Sequence, residues 1–401
     1  MLWWIWLLVI GYLLLSAFVI WQMSFWVKRA RSNGHLGWLK CVIPVISALC
    51  VFPILGTFLP ESPVASFFQK YGNIWIGLLG AFGIIMLFAL IVRFFVRPVT
   101  VKYANIVLII ALAFAVLVNG YGMIHAKTVV TKKYQVEISA DGAKLVKNKK
   151  IDKNTEKVVR VAFISDTHMG VNSSLTHIQK MIHEINEADV DVVLGGGDYF
   201  TSTYIGLTDA EIWAAVLGAI KSKNGGYYAL GNHDVTEKLF CGFAITPKEQ
   251  AIRYLEMDEF FKAAKWNIKQ DEIVEINGVQ YVFRKDGEKT GDGINKRMSV
   301  EEIMSKVDTS KPVVVIEHEP DELTELNKAG ADLVLSGHTH NGQIAPANIY
   351  GTLVEGSYSN NYGAKKFGKM LSIVSSGIGF YGPPIRIGTD SEVVIIDMIL
   401  K

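Results

Sequence analysis

The feature that most constrains this sequence is a set of four long apolar stretches in its first 126 residues, none of which contains a charged side chain. They comprise residues 2–27, 41–59, 71–92 and 103–124. A helix needs about 20 apolar residues to cross the hydrocarbon core of a bilayer, and its backbone groups must be paired within the segment. We therefore predict that residues 1–126 form an all-α, four-helix transmembrane region. Tryptophans near the ends of the first stretch are typical of the membrane interface; they are Trp3, Trp4, Trp6, Trp21 and Trp26.

Charge separates this region from the rest of the chain. Residues 1–126 carry eight basic side chains and one acid, whereas the remainder carries 32 basic and 37 acidic side chains. This division excludes both a purely soluble protein and a fully embedded transporter. The net charge of +2 gives no indication of nucleic-acid binding. Because the predicted spans contain no charge, we interpret them as an anchor and not as a transport pathway.

The short loops predict the orientation in the membrane. Basic side chains cluster in the first loop, residues 28–40, and in the third, residues 93–102. The second loop, residues 60–70, has one acid and one base. Basic loops stay in the cytoplasm, so we predict a multi-pass cell-membrane protein whose C-terminal part is extracytoplasmic. A cleaved signal peptide at residues 2–27 is disfavoured, because a basic N-terminal region and a small-residue cleavage site are both missing.

The sequence after the spans predicts a layered α/β domain over residues 158–401. Residues 127–157 read as a polar linker with an edge strand at 129–139. Short apolar runs then alternate with helical patterns, and the chain ends rich in strands, as in two-sheet α/β folds. The predicted strands are 158–165, 190–194, 226–230, 281–283, 312–316, 333–336, 373–376 and 393–397. The predicted helices are 175–187, 208–221 (with a Thr208/Glu211 capping box), 247–264 and 321–329.

Polar clusters follow five of these strands. They contain seven candidate metal ligands: Asp166, His168, Asp198, Asn232, His318, His338 and His340. Ends of parallel strands meet at one edge of a sheet, which is where sites in α/β folds assemble. Carboxylate, amide and imidazole without thiolate suit divalent Mn, Fe, Zn or Co. Seven ligands exceed the needs of one catalytic zinc and suit two ions that share a carboxylate.

Some other polar residues do not belong to the five polar clusters at strand ends. A single D-x-H or N-H-D is common by chance, whereas five such clusters in order at strand ends are not. We expect the isolated histidines to be surface or interfacial; they are His35, His125, His177 and His183. The lysine runs at 147–150 and 365–369 are predicted to be solvated, and Cys241 to be a half-buried residue without a reactive role.

The series DTH, GD, GNHD, H and GHTH resembles the calcineurin-like metallophosphoesterase superfamily. The segments GGGDYF, GHTHNGQI and SSGIGFYGPPIRIG resemble its membrane-associated bacterial phosphodiesterase branch, and the similarity covers residues 158–400. The resemblance implies a four-layer α/β/β/α sandwich. It implies that one metal is held by Asp166, His168 and His340, and that the other is held by Asn232, His318 and His338. It also implies that Asp198 bridges both ions and that His233 is the catalytic histidine near the leaving group.

The sequence departs from the family pattern at two positions. Many members have GDxxD, whose last Asp orients the catalytic histidine, but this chain has Thr201 there. Either Asp234 or a backbone group orients His233, or the acid step is weaker. Glu319 stands where Asn or Asp is common, which predicts extra negative charge beside the metals.

Together with the predicted spans, which lie outside the similarity, the resemblance implies a membrane-anchored phosphoesterase in which two metals activate a hydroxide that attacks phosphorus in line. The predicted substrate is a phosphodiester, lipid-linked or in the cell envelope, and no nucleic-acid partner is expected. One alternative is a tethered phosphomonoesterase, or a nucleotide or protein phosphatase, with a soluble substrate. Another is a non-catalytic, metal-dependent sensor or binding module, which the complete ligand set and His233 disfavour.

Overall fold

The computed structural model describes residues 3–30, 41–96, 99–151, 156–201, 207, 209–241, 243–294, 296–349 and 358–401. The chain divides into two compact units. The first, called here the helical unit, comprises Met1–Ile124, Lys238–Ile245 and Gly382–Ile385. The second, the sheet unit, comprises His125–Glu237, Thr246–Tyr381 and Arg386–Lys401. The residues predicted as a linker therefore lie in the sheet unit.

The helical unit is built from α1 (Trp3–Ala30), α2 (Val42–Leu49), α3 (Phe52–Phe58), α4 (Pro63–Phe95) and α5 (Val101–His125). By length and composition, α1, α4 and α5 are able to cross a membrane. The second predicted span is instead a short apolar pair, α2 and α3. Pro53 has no amide hydrogen for a bond to the preceding turn, so the helix breaks there. Four full-length spans are thus corrected to three long helices and one short, broken one.

Contacts at their ends show that α1 and α4 run parallel. The guanidinium of Arg93 lies 3.9 Å from the centre of the Phe25 ring. Ten residues earlier in each helix, a Cβ on Gly83 would lie 3.0 Å from Leu15. Both helices therefore end on the same side of the helical unit, and the chain between them has to return across it.

The segment α2–α3 makes this return. A Cβ on Gly56 would lie 2.5 Å from the backbone of Gln69, and a Cβ on Gly72 would lie 2.9 Å from the backbone of Pro53. The order of these contacts makes α3 antiparallel to α4. The glycines allow the two backbones to approach closely, as small residues do between membrane helices. Within the helical unit, α3 therefore runs back along α4.

Several polar side chains are buried among these helices. Gln22 and Asn119 are buried, and the Tyr12 hydroxyl donates to the carbonyl oxygen of Cys50 at 2.6 Å. Trp26 is also buried, whereas Trp6 and Trp21 are exposed, and their position at the membrane interface stays a prediction. The side chains of Trp3 and Trp4 lie outside the described residues.

The sheet unit contains two mixed sheets. The seven-stranded sheet has the order β2-β1-β15-β3-β4-β5-β8, and the six-stranded sheet has the order β13-β14-β12-β11-β10-β9. The first consists of β1 (Val129–Ser139), β2 (Gly142–Val146), β3 (Lys157–Ile164), β4 (Val192–Gly196), β5 (Gly226–Ala229), β8 (Asn267–Ile268) and β15 (Ser391–Leu400). The second consists of β9 (Glu272–Ile276), β10 (Val279–Phe283), β11 (Val313–Ile316), β12 (Leu333–Ser336), β13 (Gly363–Phe367) and β14 (Met370–Val374).

Two details of strand placement differ from the sequence prediction. The predicted edge strand β1 lies second from the edge, because β2 pairs with it antiparallel. A further short hairpin, β6 (Leu239–Phe240) and β7 (Phe243–Ala244), belongs to the helical unit. Both elements are short and carry no strong alternation of apolar residues, which is why the sequence pattern did not indicate them.

Side-chain alternation along the strands builds the layers. In β3, Val159, Val161 and Phe163 pack between the two sheets, while Ala162 and Ile164 pack on the opposite face. That face is covered by α6 (Leu175–Glu187), α7 (Ala210–Leu217) and α8 (Leu255–Ala263). The outer face of the six-stranded sheet is covered by α9 (Val300–Met304) and α10 (Leu323–Lys328). The predicted four-layer α/β/β/α sandwich is confirmed.

Some helix boundaries and one histidine differ from prediction. Helix α7 begins at Ala210, and the predicted capping residue Thr208 lies outside the described residues. In the predicted helix 247–264, only Leu255–Ala263 is α-helical. His177, predicted to be a surface or interfacial residue, is instead buried, with its Nε2 2.9 Å from the carbonyl oxygen of Ile378.

Candidate metal centre

The predicted ligands follow the carboxyl ends of parallel strands. Asp166 follows β3, Asp198 follows β4 and Asn232 follows β5, and these three strands pair in parallel. In the other sheet, His318 follows β11 and His338 follows its parallel neighbour β12. Parallel strands place their ends at a common edge, so the side chains of both sheets meet there.

Several of these residues have a left-handed backbone. The φ angles are 53° at Asp166, 42° at His168, 57° at Asp198, 69° at His338 and 49° at His340. Non-glycine residues seldom adopt this region, and such strain concentrates at functional sites. The strained turns aim the side chains into one cluster.

Two glycines allow the loops to approach the carboxylates. A Cβ on Gly231 would lie 2.2 Å from Oδ1 of Asp198, and a Cβ on Gly337 would lie 2.2 Å from Oδ2 of Asp166. Next to Gly337, the backbone amide of His338 donates to the Asp166 carboxylate at 3.1 Å. A side chain at either glycine would displace a predicted ligand.

Asp166, His168 and His340 form the first group. The Nε2 atoms of His168 and His340 lie 2.9 Å apart, and Oδ1 of Asp166 lies 3.5 Å from Nε2 of His340. Burial lowers the pKa of both imidazoles well below 6.5, so both rings are neutral at pH 7. The group therefore offers two neutral nitrogens and one carboxylate that converge in a buried site. Divalent cations bind this set of donors, so the residues present fit a divalent metal ion.

Asp198, His318 and His338 form the second group, to which Asn232 is predicted to belong. Nε2 of His318 lies 3.0 Å from Oδ2 of Asp198 and 3.2 Å from Nδ1 of His338. The Asn232 amide nitrogen donates to Glu288 Oε2 at 2.9 Å. Its buried Oδ1 has no partner among the residues described. An orphaned buried oxygen requires an explanation, and a metal ion supplies one.

Asp198 lies between the two groups. Its Oδ2 is 3.6 Å from Nε2 of His168 and 3.0 Å from Nε2 of His318. Its Oδ1 accepts from the backbone amide of His233 at 2.8 Å, which holds the carboxylate in place. Burial, opposed by His318, raises the pKa of Asp198 to about 7. A cation between the two groups would keep this carboxylate ionised, as the predicted bridging role requires.

Asp234 supports the loops and does not orient His233. Its carboxylate accepts backbone amide hydrogens at 2.7–3.1 Å. The donors are Asp198, Tyr199, Phe200 and Gly231. Thr201 is likewise engaged, since its hydroxyl donates to the carbonyl oxygen of His168 at 2.8 Å. The structure therefore argues against Asp234 and a backbone group as the orienter of His233, and the third alternative, a weaker acid step, stays a prediction.

The residue that contacts the His233 ring is Glu237. Its Oε1 lies against Nδ1 of His233, and its Oε2 accepts from Nζ of Lys289 at 2.6 Å. Sequence reasoning missed both residues. For Glu237 a signal was present, because it is an acid four residues after the histidine in HDVTE.

Glu319, the second departure from the family pattern, lies in a buried and acidic environment. Burial, followed by repulsion from Asp286, raises the pKa of Glu319 to about 8. The charge that Glu319 adds beside bound metal ions stays a prediction.

The sequence matches the family model for calcineurin-like phosphoesterases over residues 159–342. This range runs from β3 through the loop that holds His338 and His340, and so contains every predicted ligand. Residues 159–342 are a calcineurin-like phosphoesterase domain. The resemblance drawn from the motifs is thereby confirmed for the superfamily.

Proteins similar to this chain come from bacteria and animals. A metallophosphoesterase of Helicobacter pylori strain J99 is 27% identical over 253 residues, 61% of each chain. A zebrafish transmembrane protein with a metallophosphoesterase domain is 29% identical over 245 residues, 61% of this chain and 53% of its own. A metallophosphoesterase of Aquifex aeolicus is 27% identical over 286 residues, 70% of this chain and 96% of its own. The match thus spans only about three fifths of the first of these relatives. Together with the three long apolar helices, the transmembrane relative indicates a membrane protein.

The protonation of His318 predicts how metal binding depends on pH. Burial lowers the pKa of His318, but the carboxylates of Asp198, Asp166 and Asp286 outweigh burial and raise the pKa well above 6.5. At neutral pH the ring is protonated, and a metal ion has to displace that proton. We expect the affinity for the second Mn²⁺ to rise about tenfold per pH unit from pH 6 to 8. Calorimetry in buffers with different ionisation enthalpies measures both the affinity and the proton released. A second affinity that is independent of pH would contradict the assignment.

Proposed function

We propose that this protein is a membrane-anchored phosphoesterase that uses two divalent ions to hydrolyse a phosphodiester. The observation that carries the proposal is Asp198, which lies between two convergent ligand groups and binds the backbone of His233. When bound, two divalent ions supply Lewis acidity toward phosphoryl oxygens and a water nucleophile active at neutral pH. Mn, Fe, Zn and Co all suit a donor set of carboxylate, amide and imidazole.

The roles of the protein groups follow from their positions. Asp166, His168 and His340 would hold one ion, and Asn232, His318 and His338 the other, with Asp198 shared. His233 is a predicted catalytic residue whose ring stacks on Tyr381 with centres 4.5 Å apart. Its Nδ1 contacts Glu237, which leaves Nε2 to exchange a proton with the leaving oxygen.

The chain around His233 supports a lipid-linked or envelope substrate. Lys238, which directly follows Glu237, begins a segment of the helical unit. In that unit, the Thr57 hydroxyl donates to the carbonyl oxygen of Leu239 at 2.7 Å, and Phe240 packs edge-on against Tyr12. A second segment of the helical unit, Gly382–Ile385, directly follows the Tyr381 that stacks on His233. The chain thus passes directly from each of the two residues that contact His233, Glu237 and Tyr381, into a segment of the apolar helical unit.

Charge at one end of the helical unit supports an extracytoplasmic catalytic domain. The Arg93 guanidinium packs on Phe25, and Arg29 donates to the carbonyl oxygen of Val99, so the basic ends of α1 and α4 lie together. Basic loops stay in the cytoplasm. Helix α5 starts from the same end and runs away from it, so the chain would leave the membrane on the opposite side.

The substrate proposal predicts a preference for lipid diesters. For the full chain in detergent with Mn²⁺, we expect kcat/KM at least about tenfold higher for a diacyl phosphodiester than for its short-chain analogue. The reason is that each buried methylene contributes about 0.8 kcal/mol. The two substrates should carry the same leaving group, so that only the apolar part differs.

Three other outcomes would overturn parts of the proposal. Equal rates on both diesters would remove the lipid preference. Hydrolysis of monoesters alone would indicate a tethered phosphomonoesterase. If the wild-type protein hydrolyses neither diesters nor monoesters and contains no bound transition metal, the non-catalytic binding module would be favoured.

A further inference from the structure

Three buried side chains form a connected row beside the metal centre. Nδ1 of His233 contacts Oε1 of Glu237, and Nζ of Lys289 donates to Oε2 of the same carboxylate at 2.6 Å. The exposed fraction of the side chain is 11% for His233, 0% for Glu237 and 2% for Lys289. Neither Glu237 nor Lys289 belongs to the predicted ligand set.

Stability alone gives little reason to bury this ion pair. Removing two charges from water is unfavourable, and apolar residues of similar volume often stabilise a core as well or better. Burial raises the pKa of Glu237, and the ammonium of Lys289 opposes that rise. A buried charge pair that ends on a catalytic imidazole points to a role in the reaction.

The geometry fixes the imidazole from one side. Each oxygen of Glu237 has its own partner, so the carboxylate cannot rotate without losing one contact. An acceptor at Nδ1 selects the tautomer and the orientation of a histidine ring. The free Nε2 is thereby held in a single direction.

The loop that carries Lys289 is tied to the metal centre. The backbone amide of Lys289 donates to Oδ1 of Asp286 at 2.6 Å. The neighbouring Glu288 accepts from the Asn232 amide at 2.9 Å. This loop therefore couples a predicted metal ligand to the support of His233.

We propose that Glu237, held by Lys289, positions His233 for proton transfer to the leaving oxygen, in place of the carboxylate that GDxxD motifs supply. The inference rests on the proposed function, because it assigns His233 a proton-transfer step. The structure leaves no competing orienter in the described part of the site, since Asp234 and Thr201 bind backbone groups elsewhere.

The test uses leaving groups of different basicity. An alkoxide needs a proton as it leaves, whereas p-nitrophenolate does not. For the Mn²⁺-loaded full chain, Glu237→Gln should lower kcat about 10²-fold on an alkyl diester with KM unchanged. On the p-nitrophenyl diester it should lower kcat less than about threefold. The metal content of the variant, measured by elemental analysis, should equal that of the wild type.

Two further variants keep the test decisive. Glu237→Gln leaves the Lys289 ammonium buried without a partner, so Glu237→Gln/Lys289→Met provides a neutral pair if the single variant fails to fold. In a His233→Ala background, Glu237→Gln should have no further effect, because its role acts through the ring. The control is Asp397→Asn, which removes an ion pair with Arg160 at 2.6 Å outside the site and should leave activity unchanged.

The inference would be overturned if Glu237→Gln lowered kcat equally on alkyl and aryl diesters, or if it lowered kcat further in the His233→Ala background. Either result would leave the phosphoesterase proposal standing. A wild-type protein that hydrolyses neither diesters nor monoesters would contradict the proposed function and, with it, this role of Glu237.

Discussion

Replacing Asp198 by alanine should remove both metal ions and all measurable turnover together. Its Oδ2 lies 3.6 Å from Nε2 of His168 and 3.0 Å from Nε2 of His318, so its loss takes a shared carboxylate away from both groups. Substitution of residues that only support metal ligands weakens binding about 10–100-fold, and loss of a shared ligand should exceed this. Elemental analysis of the purified variant and a diesterase assay measure the two losses.

Controls separate this effect from misfolding. Asp198→Asn keeps the shape of the side chain while removing its charge, and it should weaken binding at both positions. Asp397→Ala removes a carboxylate of the same unit outside the site and should retain both ions. Circular dichroism establishes that each variant is folded. Turnover retained by a folded Asp198→Ala protein would refute the bridging role.

Replacing His233 by alanine should leave both metal ions bound but abolish turnover, unlike the replacement of Asp198. The ring contacts Glu237 and stacks on Tyr381, and it lies in neither three-residue group of candidate metal ligands. A general acid contributes about 10²–10⁴-fold, so kcat on an alkyl diester should fall by that factor. Stopped assays and elemental analysis on the same preparation give both quantities.

The matched control is His183→Ala, which replaces an exposed histidine of α6 and should change neither quantity. Loss of metal from His233→Ala would make this histidine a ligand. Unchanged kcat on alkyl diesters would remove it from the chemistry. Either result would require another group to protonate the leaving oxygen.

The strands that carry the site could be predicted because they are buried on both faces. In β4, β11 and β12 every side chain is buried, so each appears as a continuous apolar run. The polar residues that follow these three runs are then conspicuous, among them the predicted ligands Asp198, His318 and His338. By contrast, β8 has two residues and α9 has five, too few to show a period.

Contacts between distant loops could not be predicted. Glu237 and Lys289 are 52 residues apart, and neither lies in a periodic segment. Only the fold brings them together, so Asp234, which is adjacent to His233 in sequence, was the natural but wrong choice. The prolines of the second apolar stretch, Pro44 and Pro53, did signal a break that hydropathy alone does not show.

The most direct test of the central claim is an anomalous scattering map from crystals of the protein grown with Mn²⁺. We predict two peaks: one within bonding distance of Asp166, His168 and His340, the other of Asn232, His318 and His338, with Asp198 contacting both. A map without peaks in this cluster, or with a single peak that Asp198 does not contact, would contradict the account.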